Sequence, residues 1–106
     1  MNKPKIALTI AGTDPTGGAG VTADLKSFHS CGVYGMATIT SIVAQNTLGV
    51  QHIHNLETSW VKEQLDSIFS DELPQAIKTG MIATKETMEL IRDYLSTHAA
   101  VSYTHL

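Results

Sequence analysis

Hydrophobic and polar positions divide the chain into short blocks. Residues 5–11 (KIALTIA) form an apolar, β-prone run closed by a glycine, which predicts a buried strand. Residues 12–20 (GTDPTGGAG) hold four glycines and a proline, the composition of a loop. Across 21–31, Val21, Leu25 and Phe28 recur at helical spacing, and Gly32 follows as a stop. Residues 36–44 (MATITSIVA) are continuous and β-branched, which predicts a second buried strand. A turn is predicted at 46–49 and a further short strand at 50–56. The spacing of Val61, Leu65 and Ile68 predicts a helix over 60–71, capped by Thr58 or Ser59 and ended by Pro74. Residues 76–79 (AIKT) read as a strand running into Gly80 and Met81. Thr84 caps a third helix to about residue 97, with Met88, Ile91 and Leu95 turned inward.

The predicted order is β-α-β-(β)-α-β-α. Buried strands alternating with amphipathic helices predict an α/β fold around a doubly wound parallel sheet. So few elements leave one sheet edge waiting for further strands, so the unit reads as incomplete.

Composition narrows the field. The chain has 106 residues, 42% hydrophobic and 16% charged, which fits one globular domain rather than two or a disordered segment. The net charge is −3 and the seven Lys and Arg are scattered, so no nucleic-acid surface is expected. Cys31 is alone, which fits a reducing compartment. The apolar run at 6–11 is too short for a signal core, and no stretch approaches the ~20 residues that cross a bilayer. A soluble cytoplasmic protein is expected, with no membrane partner.

The glycine loop sits between a strand and a helix, where open parallel sheets bind ligands. It is not a Walker A loop, because no Gly-Lys-Ser/Thr ends it and no lysine occurs before Lys26. Gly18, Gly20 and Ala23 match a dinucleotide fingerprint, but the acid expected about twenty positions on is absent from the second strand. Read alone, the glycines serve a tight turn and close strand–helix packing.

Four blocks carry more information together than any one glycine motif. ALTIAGTDPTGGAGVTADLKSF (7–28), VAQNTLGV (43–50), QLDSIFSD (64–71) and IKTGMIA (77–83) occur in order. In pattern and separation they resemble the hydroxymethylpyrimidine/phosphomethylpyrimidine kinases of the ribokinase-like superfamily, from about residue 5 to residue 98. The resemblance implies the N-terminal part of a ribokinase-like, Rossmann-like three-layer fold. It implies ATP-dependent phosphorylation of 4-amino-5-hydroxymethyl-2-methylpyrimidine and then of its monophosphate, in thiamine biosynthesis, with Mg²⁺ and a homodimer. A pyridoxal or pyridoxine kinase of the same superfamily is the alternative.

In that family the first half holds the pyrimidine. A later Gly-Thr-Gly-Cys-type motif serves the nucleotide and the proton transfer. The motif does not occur here, and Cys31 on the first helix cannot replace it. No catalytic residue is therefore expected in this sequence. The resemblance assigns 1–98 to the kinase domain and sets 99–106 apart as a non-family tail, an artefact of truncation. The isolated 106 residues are expected to be inactive, at most a pyrimidine-binding remnant.

An aminopyrimidine presents an amino donor beside a ring-nitrogen acceptor, and one carboxamide answers both. By resemblance Gln45 reads the pyrimidine; read alone, it braces the following turn. Asp24, in the first turn after the glycine loop, accepts a hydrogen bond from the hydroxymethyl group by resemblance; read alone, it stabilises the helix dipole. Met81 packs its thioether on the ring by resemblance; read alone, it fills core. Gly12 and Gly20 let the backbone approach the substrate. Asp14, before Pro15, reads as a turn-former. The five histidines show no metal-ligand spacing, although His52 and His54 share one strand face, so no metal site is expected.

Overall fold

The computed structural model describes residues 4–98 and the backbone of 102–105. Its elements are β1 (Ile6–Ala11), α1 (Gly20–Ser30), β2 (Tyr34–Ile39), β3 (Ser41–Asn46), β4 (Gly49–Asn55), α2 (Thr58–Phe69), β5 (Ala76–Thr79), α3 (Lys85–His98) and β6 (Ser102–His105). The strands β2, β1, β5 and β6 lie side by side in that order as a parallel sheet. β3 and β4 form a separate antiparallel hairpin.

The central strand explains the layering. β1 is buried at every position, as a strand covered on both faces must be. Leu8 and Ile10, with Ile77 of β5, meet Val61 and Leu65 of α2 and Ile91, Tyr94 and Leu95 of α3. The alternate residues face α1, and there the side chains are small. Ala7 lies beside Gly35, and Thr9 beside Ala37. A methyl group on Gly35 would fall 2.8 Å from Leu25 Cδ2 and 3.1 Å from Phe28 Cδ2, so the helix rests directly on the strand. The result is three layers: α1, the sheet, then α2 and α3.

Two glutamines finish strand ends that the ladder leaves open. Gln64 of α2 accepts from Ile39 N–H and donates to Ile39 C=O, both at 2.8 Å, at the outer strand β2. Gln75 does the same for Ile6, its side chain accepting from Ile6 N–H at 2.6 Å and its own N–H donating to Ile6 C=O at 2.9 Å. Between the helices, Tyr94 donates its hydroxyl to Asp66 at 2.7 Å. Burial, and then this bond, push the Tyr94 phenol pKa well up. Lys62, and after it Tyr94, hold the Asp66 carboxyl below its ordinary range.

The structure differs from the expected elements at four places. The block 36–44 is not one buried strand. β2 ends at Ile39, β3 starts at Ser41, and the two belong to different sheets. Thr40 makes the switch: its N–H donates to Ala11 C=O and its C=O accepts from Leu56 N–H, both at 2.9 Å. Neither Thr58 nor Ser59 caps α2. The N-cap is Glu57, whose carbonyl accepts from Trp60 and Val61 without help from its side chain. That helix also ends at Phe69, well before the buried Pro74. Met88 is not inward; it is 52% exposed, and Thr87, Ile91, Tyr94 and Leu95 form the buried face of α3. Lastly, α1 begins at Gly20, so Asp24 lies beyond its first turn and gains little from the helix dipole.

Other expectations hold. Gly32 ends α1 with φ +74°, and Thr84 Oγ1 accepts from Thr87 N–H at 3.2 Å as the cap of α3. The stretch 99–106, set apart by the resemblance, lies outside the described residues except for the backbone of 102–105, which runs parallel to β5. Among the described residues, no helix is long and apolar enough to cross a membrane.

Candidate functional site

A cleft of about 340 Å³ opens at the carboxyl ends of β1 and β5, between the glycine loop and one face of the hairpin. That is where ligands of open parallel sheets bind, and the volume suits a ligand of one ring. Its lining comes from Ala11, Gly12, Thr13, Asp14, Ala19 and Gly20 on the first side. Ser41, Val43, Gln45, Val50 and Ile53 come from the hairpin, and Lys78, Gly80, Met81 and Ala83 from the end of β5.

The loop is fixed by its own backbone. Thr13 N–H donates to Ser41 C=O at 2.9 Å, and Thr13 Oγ1 accepts from Val43 N–H at 2.9 Å, which ties the loop to β3. Val21 N–H donates to Gly12 C=O at 3.0 Å, which ties the start of α1 back to the end of β1. Gly20 has φ +64°, a conformation that favours glycine, and a Cβ there would collide with the Gly12 carbonyl oxygen. Gly12 itself lies close against β3, 3.4 Å separating the place of a Cβ from Ser41 C=O.

Asp14 shapes the loop. Its Oδ1 accepts from Thr16 N–H at 2.9 Å and from Thr16 Oγ1 at 2.8 Å, while Gly17 N–H donates to its C=O at 3.0 Å. This is the turn-forming role read from the sequence. The Thr16 hydroxyl, then the Thr16 N–H, hold its carboxyl below the ordinary range. A carboxyl whose folded-state pKa lies below its unfolded value stabilises the fold above the ordinary carboxylate range and loses that contribution as pH falls. The melting-temperature advantage of the native chain over Asp14→Asn is therefore expected to shrink between about pH 6 and about pH 3. Melting curves of both proteins across that window check it. An advantage that grows toward acid would reverse the sign.

The hairpin carries a bulge that sequence reasoning missed. Ala44 pairs with His52 but Gln45 pairs with Val50, so Gln51 is an extra residue on β4. In a regular strand Val50 and Ile53, three apart, would face opposite sides. The bulge brings both to the cleft beside Val43 and Gln45. His52 and His54 pair with Ala44 and Ile42, the alternate positions to those that line the cleft. Among the described residues, no group of three or more His, Cys, Asp or Glu could hold a metal ion.

The expected site residues divide in two. Gly12, Gly20, Gln45 and Met81 meet at the cleft. Met81 is 84% exposed and is no core residue. Asp24 stands behind the lining. Its Oδ2 accepts from Thr9 Oγ1 at 2.6 Å, and both its oxygens accept from Lys78 Nζ, at 2.9 and 2.8 Å. Lys78 was not singled out from the sequence. The signal was there: a lysine inside a four-residue strand of a covered sheet needs a buried partner.

Residues 14–104 match the family model of phosphomethylpyrimidine kinase. The chain belongs to the phosphomethylpyrimidine kinase family. It is 78% identical over 103 residues to a hydroxymethylpyrimidine/phosphomethylpyrimidine kinase of Staphylococcus aureus, covering 97% of this chain and 37% of that protein. The crystal structure of a phosphomethylpyrimidine kinase from Clostridium difficile 630 superposes with a TM-score of 0.92 at 40% identity, over 95% of this chain and 44% of that one. A pyridoxal kinase of Staphylococcus aureus, solved with AMP-PCP and pyridoxal, superposes with a TM-score of 0.87 at 34% identity, over 97% of this chain and 39% of that one. The architecture is thus the ribokinase-like α/β fold of the family, covered in part.

Proposed function

We propose that the chain forms the pyrimidine-holding part of an ATP- and Mg²⁺-dependent, homodimeric kinase of thiamine biosynthesis. That kinase phosphorylates 4-amino-5-hydroxymethyl-2-methylpyrimidine and then its monophosphate. The observation that carries this reading is the convergence of Gln45, Met81, Gly12 and Gly20 on one cleft of single-ring size. The Gln45 carboxamide offers an acceptor and a donor side by side, the complement of an amino group next to a ring nitrogen. Val43, Val50 and Ile53 make an apolar wall, and the exposed Met81 supplies a polarizable cover for a ring face. The two glycines let the ligand approach the backbone without a side chain between.

Replacing Gln45 by alanine is expected to weaken aminopyrimidine binding roughly ten- to hundredfold, because two hydrogen bonds are lost at a half-covered site. The fold should be unaffected, since no described contact of the core uses this side chain. Calorimetric titration of both proteins with the pyrimidine alcohol reads the effect, and an unchanged dissociation constant would rule Gln45 out as the reader. Structural likeness to pyridoxal kinases favours a second reading, pyridoxal or pyridoxine as the ring ligand. In that case Gln45→Ala leaves pyridoxine affinity intact while the aminopyrimidine binds poorly even to the native chain.

A further inference from the structure

The Lys78–Asp24 pair has no part in the pyrimidine contacts proposed above. Lys78 lines the cleft, whereas its partner Asp24 does not. An ammonium carries three N–H donors. Two of them point to the Asp24 oxygens at 2.9 and 2.8 Å. Among the described residues, no acceptor is bonded to the third. Asp24 is in turn fixed by the Thr9 hydroxyl from β1. The pair is mostly covered, with the Lys78 and Asp24 side chains 24% and 16% exposed. The lysine is therefore held from behind by a carboxylate and presents one donor forward, at the carboxyl end of β5.

The charge balance decides what that donor suits. A lone ammonium prefers an anion. An ammonium closed by a carboxylate on two of its protons keeps a strong N–H donor but little net charge. A phosphate monoester, with about −1.5 to −2 charge, would also meet the carboxylate behind the lysine. Resting on the pyrimidine reading of the cleft, we propose that Lys78 donates to the hydroxyl oxygen of the ring ligand. Asp24 is its positioning residue, and it biases the cleft toward the neutral alcohol over the phosphate ester. Asp24 thus acts through Lys78 rather than on the ligand.

The test is calorimetric titration of the full chain with 4-amino-5-hydroxymethyl-2-methylpyrimidine and, separately, with its monophosphate. Thermal melts run in parallel. Lys78→Met is expected to weaken alcohol binding roughly tenfold or more, the loss typical of a hydrogen bond from a charged donor, and Lys78→Arg to recover part of it. Because Lys78→Met strands a covered carboxylate, the double variant Lys78→Met/Asp24→Asn removes both charges and should melt closer to the native protein while binding the alcohol as weakly as the single variant. Asp24→Asn keeps the lysine and is expected to shift the ratio of monophosphate to alcohol affinity toward the monophosphate, by roughly tenfold. If Asp24→Asn and the double variant lower the melting temperature but leave both affinities and their ratio unchanged, the pair serves the fold only and the inference fails. A native chain that binds neither compound overturns the pyrimidine reading and this inference with it. A native chain that binds the alcohol, with variants that do the same, overturns this inference alone.

Discussion

Gly20→Ala is expected to abolish detectable ring-ligand binding and to lower stability by roughly 2–4 kcal/mol. Two penalties combine at this position. The backbone has φ +64°, where an L side chain costs about 1–2 kcal/mol. The added methyl would also press on the Gly12 carbonyl oxygen and lie 3.3 Å from the carbonyl carbons of Gly12 and Thr13. These are backbone atoms, and the Gly12 carbonyl is already committed to Val21 N–H at 3.0 Å. Relief requires either the end of β1 or the start of α1 to move, and both edges line the cleft. Gly32→Ala provides the control. Its φ of +74° is similar, but nothing lies within 4 Å of an added Cβ, so only the conformational penalty applies, about 1–2 kcal/mol, and binding is retained. Melts and titrations of the two variants check both halves. Equal effects at Gly20 and Gly32 would mean that the contact with Gly12 is not what requires a glycine.

The position of the cleft was legible before the fold was known, because it depends on local signals. A strand, a glycine-rich loop and a helix in succession place a ligand at the strand end whatever follows. Gln45 and Met81 entered the site only through the family resemblance; read alone, Gln45 braces a turn and Met81 fills core, and the exposure of Met81 excludes the latter. What was hidden depends on pairing. MATITSIVA carries no mark at Thr40, since β-branched residues suit a covered parallel strand and a cleft-lining hairpin equally well. The bulge at Gln51 exists only relative to β3, so no period along β4 could announce it. The role of Asp24 was obscured for the same reason. Only the register that sets Thr9 beside Lys78 brings the three polar groups together on the α1 face. Met88 was misplaced because three of its neighbours at helical spacing are polar or half-exposed, while the threonine one position earlier packs inward.

The sheet floor under the cleft depends on one leucine layer, and Leu8→Ala is expected to destabilise the chain by about 2–5 kcal/mol. Leu8 is 0% exposed and sits in the middle of β1, between Met36 of β2 and Ile77 of β5. It packs against the same cluster as Val61 and Leu65 of α2 and Leu95 of α3. Shortening it removes apolar contact and leaves a cavity that two helices and three strands would have to close together, so collapse is poor and the upper part of the range applies. For a domain of this size the midpoint should fall by roughly 10–30 °C. Leu48→Ala, at the 92% exposed tip of the hairpin, is the matched substitution outside the core and should change stability by no more than about 0.5 kcal/mol. Thermal or urea denaturation of the two variants separates them. A Leu8→Ala protein that melts within a few degrees of the native chain would mean that β1 is not the covered centre of the sheet. The cleft built on its carboxyl end would then lose its rigid floor.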